Sequence, residues 1–452
     1  MRKLLLILCL LAAPSWALER AALEKLASDD NDAKIEGIQA LVAEGDPAAI
    51  PVLQRLAAAA ELAKGADAAM LPLIKRALSA EKDPEIRELL GLAAAAMELT
   101  TGDKATRLAA IRTLGDSASP ASRTLLSDAA RDEDPDIRHE AQQSLRAVQG
   151  RLAWGERLGL LFAGISLGSI LLLAALGLAI TYGLMGVINM AHGELIMIGA
   201  YTTYLVQVMF RNTGFFDWYL LAAVPASFLA AAAVGMLLER SVIRWLYGRP
   251  LETLLATWGI SLVLIQVVRT LFGAQNVQVE NPAFMSGGVQ ALSNVVLPWS
   301  RIWIIAFAAL VLFGMWLLLT RTRLGLFVRG VTQNRAMASC VGVPTARVDT
   351  YAFGLGSGIA GLAGCALSQL GNVGPDLGQG YIVDSFMVVV FGGVGQLAGT
   401  VYAALTLGFA NKFLEAWQGA VIAKIAVLIF VICFIQRRPQ GLFALKGRAV
   451  DA

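Results

Sequence analysis

From Trp154 onward the chain is a succession of apolar runs: 158–182, 193–210, 220–240, 253–272, 302–320, 350–371 and 420–436. At about 1.5 Å of rise per residue, roughly 20 apolar residues cover the hydrocarbon layer of a bilayer. Backbone N–H and C=O groups find no water there, so each run has to satisfy them within itself as a helix. A further apolar region, 384–411, is interrupted at Gly392-Gly393-Val394-Gly395-Gln396-Leu397-Ala398-Gly399. Residues 151–446 therefore read as a polytopic α-helical membrane domain with broken helices, ending in a short tail, 447–452.

The stretch from Tyr182 to Tyr201, YGLMGVINMAHGELIMIGAY, is the one the other runs have to accommodate. It places Asn189, His192 and Glu194 close together in an apolar setting, hinged by Gly186 and Gly193. An acidic residue at a helix centre costs roughly 2.5–3.5 kcal/mol on insertion scales. Such groups face other helices, water or a solute path. Irregular backbone at membrane depth is tolerated where it is buried in protein or lines a cavity, which puts 186–194 and Gly392–Gly399 beside a translocation path. The competing reading of a glycine is close helix packing. For Gly356, Gly358, Gly361 and Gly364, which share one run, packing is the expectation.

Charge orients the runs. Segment 321–349 carries Arg321, Arg323, Arg329, Arg335 and Arg347 against Asp349; segment 239–252 carries Arg240, Arg244 and Arg249; the tail carries Arg437, Arg438, Lys446 and Arg448. Basic loops stay on the cytoplasmic side. All three segments fall there only if 384–411 enters and returns as a hairpin turning at its glycines.

Ahead of the membrane domain, Arg2 and Lys3 precede LLLILCLLAA, and Ser15-Trp16-Ala17 ends in small residues, the pattern of a signal peptide over 1–17. Residues 18–150 carry 16 Lys+Arg against 23 Asp+Glu, near −7, while 151–452 carry 19 against 11, near +8. An acidic helical domain outside the cytoplasm, docked above a pore mouth, followed by a basic membrane domain, is the expected organisation. Its helices open on Asp83-Pro84 and Asp134-Pro135, with Asp as N-cap and Pro in the first turn. Ile38, Leu41, Pro47, Leu53 and Ala57 recur as Ile111, Leu114, Pro120, Leu126 and Ala130. That weak repeat resembles a HEAT-like array of stacked helix pairs, with an irregular bundle as the alternative. The fold class is all-α throughout.

Several chemistries are excluded. Cys9, Cys340, Cys365 and Cys433 and the two histidines, His139 and His192, have no metal-ligand spacing, so no metal or other cofactor is expected. No G-x-x-x-x-G-K-[ST] occurs, so the chain has no P-loop with which to hydrolyse nucleotide. The His192/Glu194 pair has no nucleophile beside it, so no catalytic residue is named. The basic balance belongs to membrane loops rather than to nucleic-acid binding.

The pattern G-x-x-N-x-A-H-G-E (Gly186, Asn189, Ala191, His192, Gly193, Glu194) resembles the permease subunits of ABC importers of the branched-chain amino-acid class. So do Arg323-Leu324-Gly325, Asn334-Arg335-Ala336 with Gly342-Val343, the Gly392-Gly393-x-Gly395 break and the ending Arg438-Pro439-Gln440-Gly441-Leu442. The added N-terminal domain, and Gln396 and Thr400 in GGVGQLAGT, look like the urea permease subunit of Gram-negative bacteria. The resemblance implies an importer in the bacterial inner membrane. A second permease subunit would complete the pore, two cytoplasmic ATPase subunits would drive it and a periplasmic solute-binding protein would deliver solute. The groups at Asn189, Thr257, Ser261, Gln266, Gln396 and Thr400 suit urea, and equally a short amide or amino acid. A passive channel with an outer sensory domain is the remaining alternative. His192 and Glu194 are expected to pin the broken helix rather than to touch an uncharged solute. Asn334 to Pro344 is expected to form a short surface helix that grips an ATPase. In that reading Ala336 and Ala338 seat it in the partner's groove, Arg335 pairs with a carboxylate there, and Gly342 and Pro344 close it.

Overall fold

The computed structural model describes residues 71–80, 84–117, 119–292 and 295–443. The expected signal peptide, the first copy of the internal repeat and the tail 447–452 lie outside these residues. The chain divides into two compact units, Met1–Glu156 with Leu292–Asn294, and Arg157–Ala291 with Val295–Ala452.

In the first unit, α1 (Leu71–Ala80), α2 (Pro84–Thr101), α3 (Lys104–Asp116) and α4 (Pro120–Ala129) are followed by the start of α5 (Pro135–Met185). The starts of α3, α4 and α5 have a local cause. Asp103 accepts from the Thr106 N–H at 3.3 Å, Ser119 accepts from the Ala121 N–H at 3.3 Å, and Asp134 accepts from the Asp136 N–H at 2.9 Å. These side chains satisfy donors that the first helical turn leaves open. Leu99, Ile111, Leu114, Leu126, Ile137, Ala141 and Val148 make the core between the helices. Charged residues stay outside, where Lys104 meets Asp134 at 2.8 Å and Asp136 at 2.6 Å. The Lys104 ammonium holds the Asp134 carboxyl below the usual carboxylate range.

The second unit begins within α5 and continues through α6 (His192–Phe210), α7 (Tyr219–Ser241), α8 (Pro250–Phe272), α9 (Trp299–Arg321), α10 (Arg323–Gln333) and α11 (Arg335–Cys340). It ends with α12 (Thr345–Ser368), α13 (Gln379–Gly392), α14 (Leu397–Gln418) and α15 (Ala420–Arg437). Among the described residues seven helices are long and apolar enough to cross a membrane: α5 to α9, α12 and α15. The expectation of an all-α chain needs one correction. Between α8 and α9 lies a two-stranded sheet, β1 (Gly288–Leu292) and β2 (Val295–Pro298), where Gly287 at φ 81° turns the chain.

Helix α12 is the centre of this unit and is almost wholly buried. Its glycines face three neighbouring helices. A Cβ on Gly356 would lie 2.7 Å from the Gly177 carbonyl of α5, and one on Gly358 2.5 Å from the Phe228 ring of α7. One on Gly361 would meet Ala231 of α7 at 2.6 Å, and one on Gly364 would meet the Ala200 N of α6 at 2.7 Å. Without side chains these helices approach to backbone contact, the mode by which helices associate in a medium as apolar as themselves.

Both interruptions are where the glycines put them. Helix α5 ends at Met185, Gly186 takes φ 65°, and helix resumes only at His192. Between α13 and α14 the chain passes through Gly393 at φ 101° and Gly395 at φ 80°, which a side chain resists. The ending Gln440-Gly441-Leu442-Phe443 seals this break, as Leu442 N donates to Phe391 O at 2.9 Å and Phe443 N to Gly392 O at 3.3 Å.

The loops sort into two ends of the helix bundle. At one end Val277 and Val373 pair, Gln207 donates to Glu280 O at 3.4 Å, and Arg269 meets Asp376 at 2.9 Å. At the other, Met185, Glu239, Tyr247, Arg335 and Asp349 come together.

Candidate functional site

The first break folds onto α8. Thr257 Oγ1, on its buried face, accepts from the Met190 N–H at 3.2 Å, and Ser261 lies beside Glu194. Asn189 turns its own loop, its Oδ1 accepting from the Ala191 N–H at 3.1 Å. His192 Nε2 donates to the Ala174 carbonyl of α5 at 2.9 Å. Asn189, Glu194, Thr257 and Ser261 thus gather where α8 meets the break, with His192 turned to its other side, toward α5. Three atoms here, Asn189 Nδ2, His192 Nδ1 and Glu194 Oε2, are buried with no hydrogen-bond partner within the chain. Leaving such a group unpaired costs about 1–3 kcal/mol, so a break with three of them is poised for polar company.

Gln266 does not join the cluster. The buried face of α8 is Thr253, Thr257, Ser261, Ile265 and Val268, and Gln266 is exposed on another side. Five residues past Ser261 is about 140° round a helix, so its amide faces away.

The second break forms a separate place. Gly392 and Gly399 are in backbone contact, and Gly395 lies against Gly183 near the end of α5. Thr400 Oγ1 donates to Gln396 O at 3.0 Å, bonding within its own turn. The glycines here bring backbone to backbone. Among the described residues no hydrogen bond joins Gln396 or Thr400 to Asn189, His192 or Glu194.

The Arg-rich segment departs most from expectation. Asn334 does start a short helix, α11, its Oδ1 accepting from the Met337 N–H at 2.9 Å, and Gly342 at φ 87° and Pro344 turn the chain into α12. Its other contacts are internal. Arg335 pairs with Asp349 of α12, and its guanidinium lies 5.2 Å from the centre of the Tyr247 ring. Ala338 is buried against Val328, Val331, Val348 and Ala352. A buried Asp349 takes the nearest guanidinium, and a small residue at 338 lets α11 sit down on α10 and α12. The outward face carries Ala336, Met337 and Val341, the last two 61% and 75% exposed. It follows that Ala338→Trp is expected to lever α11 off its own chain. Thermal stability of the purified protein should fall by about 1–3 kcal/mol, whereas Met337→Asp should leave it unchanged.

Sequence reasoning missed Glu239, Tyr247 and Thr350. Glu239 is fully buried at the end of α7. It accepts from Tyr247 OH at 3.1 Å and Thr350 Oγ1 at 2.6 Å, and Arg244 lies 3.5 Å away. Burial first, and then the Glu239 carboxylate, push the Tyr247 hydroxyl above the ordinary tyrosine range, so it remains a donor. A carboxylate closing an apolar run, with Arg244 a turn beyond, was the signal available in the sequence.

Residues 160–435 match the family model described as branched-chain amino acid transport system / permease component, and residues 92–153 match HEAT repeats. The chain is 29% identical over 290 residues to the high-affinity branched-chain amino acid transport system permease protein BraD of Pseudomonas aeruginosa, covering 62% of this chain and 93% of that one. It is 29% identical over 293 residues to the corresponding protein LivH of Escherichia coli K12, covering 62% and 94%. The ribose import permease protein RbsC of the same organism is 27% identical over 228 residues, 47% of this chain and 68% of that one. No solved structure matches.

Proposed function

The chain belongs to the branched-chain amino acid transport permease family, and on that footing we propose that it is the membrane-spanning subunit of an ATP-driven importer in the bacterial inner membrane. It is a transport component and not an enzyme. A second permease subunit completes the pore, two cytoplasmic ATPase subunits drive it, and a periplasmic binding protein supplies the solute. The observation that carries this reading is a glycine-broken helix where Asn189, Glu194, Thr257 and Ser261 gather and three buried polar atoms, one of them on His192, are unpaired within the chain. Freed backbone and side-chain groups at such breaks hold polar solutes.

Urea is the solute we assign first. The described partners of the cluster are backbone groups and its own side chains. None of these is the cation that the carboxylate of an amino acid would seek. The extra acidic unit before residue 157 also sets this chain apart from BraD and LivH, which match almost over their full lengths. A branched-chain amino acid is the second reading, carried by what those relatives are named for. Uptake into vesicles holding the assembled transporter separates the two. Labelled urea should enter on ATP addition and resist competition by excess leucine, and ATP-driven entry of leucine with none of urea would reverse the assignment.

Orientation follows from charge. The end of the bundle that gathers Tyr247, Arg335 and Asp349 carries the arginines and faces the cytoplasm, and residues 18–150 lie outside. A reporter that works only in the cytoplasm, fused after Gln149, is expected to stay silent. On the cytoplasmic side the exposed Met337 of α11 and Val341 just after it are the surface an ATPase grips. Met337→Asp should therefore remove the ATPase subunits from the purified complex while the membrane subunits remain together.

A further inference from the structure

We propose that Tyr247 is a positioning residue that carries movement of α11 to the broken helix at 186–191. This rests on the reading that an ATPase grips α11. The route is a set of contacts that converge on one side chain. Arg335, the first residue of α11, stacks over one face of the Tyr247 ring while pairing with Asp349 of α12. The Tyr247 hydroxyl donates to Glu239, fully buried at the end of α7, and lies 3.6 Å from Met185 Sδ. Met185 is the last residue of α5, immediately before Gly186 opens the break. The ring also packs beside Val187, Ile243 and Phe353, so it touches the break from its apolar side as well.

The chemistry suits a relay better than a mere filler. Glu239 and Asp349 are two buried carboxylates facing two guanidiniums, Arg244 and Arg335, and Thr350 Oγ1 holds the second oxygen of Glu239 at 2.6 Å. Buried carboxylates cannot be left unpaired, so a shift of Arg335 has to be followed by its partners. Tyr247 belongs to the loop after α7, not to α11 or α12, and so joins helices that the chain does not connect directly there. From Met185 the displacement reaches Asn189, His192 and Glu194 within the next few residues.

The test uses the assembled transporter in vesicles and reads solute taken up per ATP hydrolysed. Tyr247→Phe keeps the ring beneath Arg335 but removes the hydroxyl that donates to Glu239 and reaches Met185 Sδ. The ratio is expected to fall about tenfold, within the range that coupling residues span, while complex yield and bound ATPase stay as in the parent. Thr350→Val, which removes the second donor to Glu239 from α12, is read the same way and carries the test if Tyr247→Phe does not assemble. Arg335→Lys, which keeps the charge opposite Asp349, should retain most of the ratio that Arg335→Gln loses. A parental ratio in Tyr247→Phe and Thr350→Val overturns the inference, and so does failure of both to assemble, which would assign the network to folding. The premise fails separately: if Met337→Asp keeps its ATPase subunits, α11 is not the gripped element, whatever Tyr247 does.

Discussion

Replacing Gly364 with leucine is expected to abolish assembly of the membrane unit. Gly364 lies on α12 where that helix crosses α6, and an added Cβ would sit 2.7 Å from the Ala200 N and 3.0 Å from the Ile196 carbonyl carbon. Both neighbours are helical backbone, which cannot turn aside as a flexible side chain would. Overfilling a packed core costs about 1–3 kcal/mol even where side chains can adjust, and here the helices have to separate. Because α12 also meets α5 through Gly356 and α7 through Gly358 and Gly361, its displacement opens every interface at once. Gly314→Leu on α9 is the control, since a Cβ there meets nothing within 4 Å. Size exclusion of the detergent-extracted protein should show a normal peak for Gly314→Leu and none for Gly364→Leu. A normal peak for both would mean the helices are not in backbone contact.

Glu194→Leu is expected to eliminate uptake. Glu194 is 2% exposed, and the Ser261 hydroxyl lies beside it. A leucine strands the Ser261 hydroxyl and brings no acceptor to the break, at about 1–3 kcal/mol for the orphaned group. Glu194→Gln keeps an oxygen for Ser261 and should retain part of the yield of assembled complex. The loss should appear as fewer complexes, each with nearly the parental half-saturating solute concentration, because the carboxylate holds the break rather than the solute. Normal yield with a greatly raised half-saturating concentration would place Glu194 on the solute itself. Counting complexes by bound ATPase while measuring uptake distinguishes these results.

The two breaks were legible because glycine acts locally. Gly186, Gly393 and Gly395 adopt positive φ, which other residues resist, so their positions alone mark where helix stops. The Asp-Pro start of α5 and the Asn334 cap of α11 were legible for a similar reason, since a cap bonds to donors only two or three residues away. The facing of Gln266 was also in the sequence, because helical period separates it from Thr257 and Ser261.

What escaped was partnership. Arg335 and Ala338 look like contact residues for another protein when read along the chain, since an arginine and a small residue on a short helix have no partner nearby in sequence. In space Asp349 and the Val328–Val348 cluster claim them first. Glu239 likewise shows no special role until Tyr247 and Thr350 are seen to converge on it.

The helices, their breaks and the family are written along the chain, because lipid forces each backbone segment to satisfy its own hydrogen bonds and glycine and caps act within a turn. The tertiary structure alone decided which polar groups meet. Helices packed through glycines have no preference written in their composition for one neighbour's carboxylate over another's. Pairing of Arg335 with Asp349, and of Glu239 with Tyr247, exists only once α12 has been seated among α5, α6 and α7.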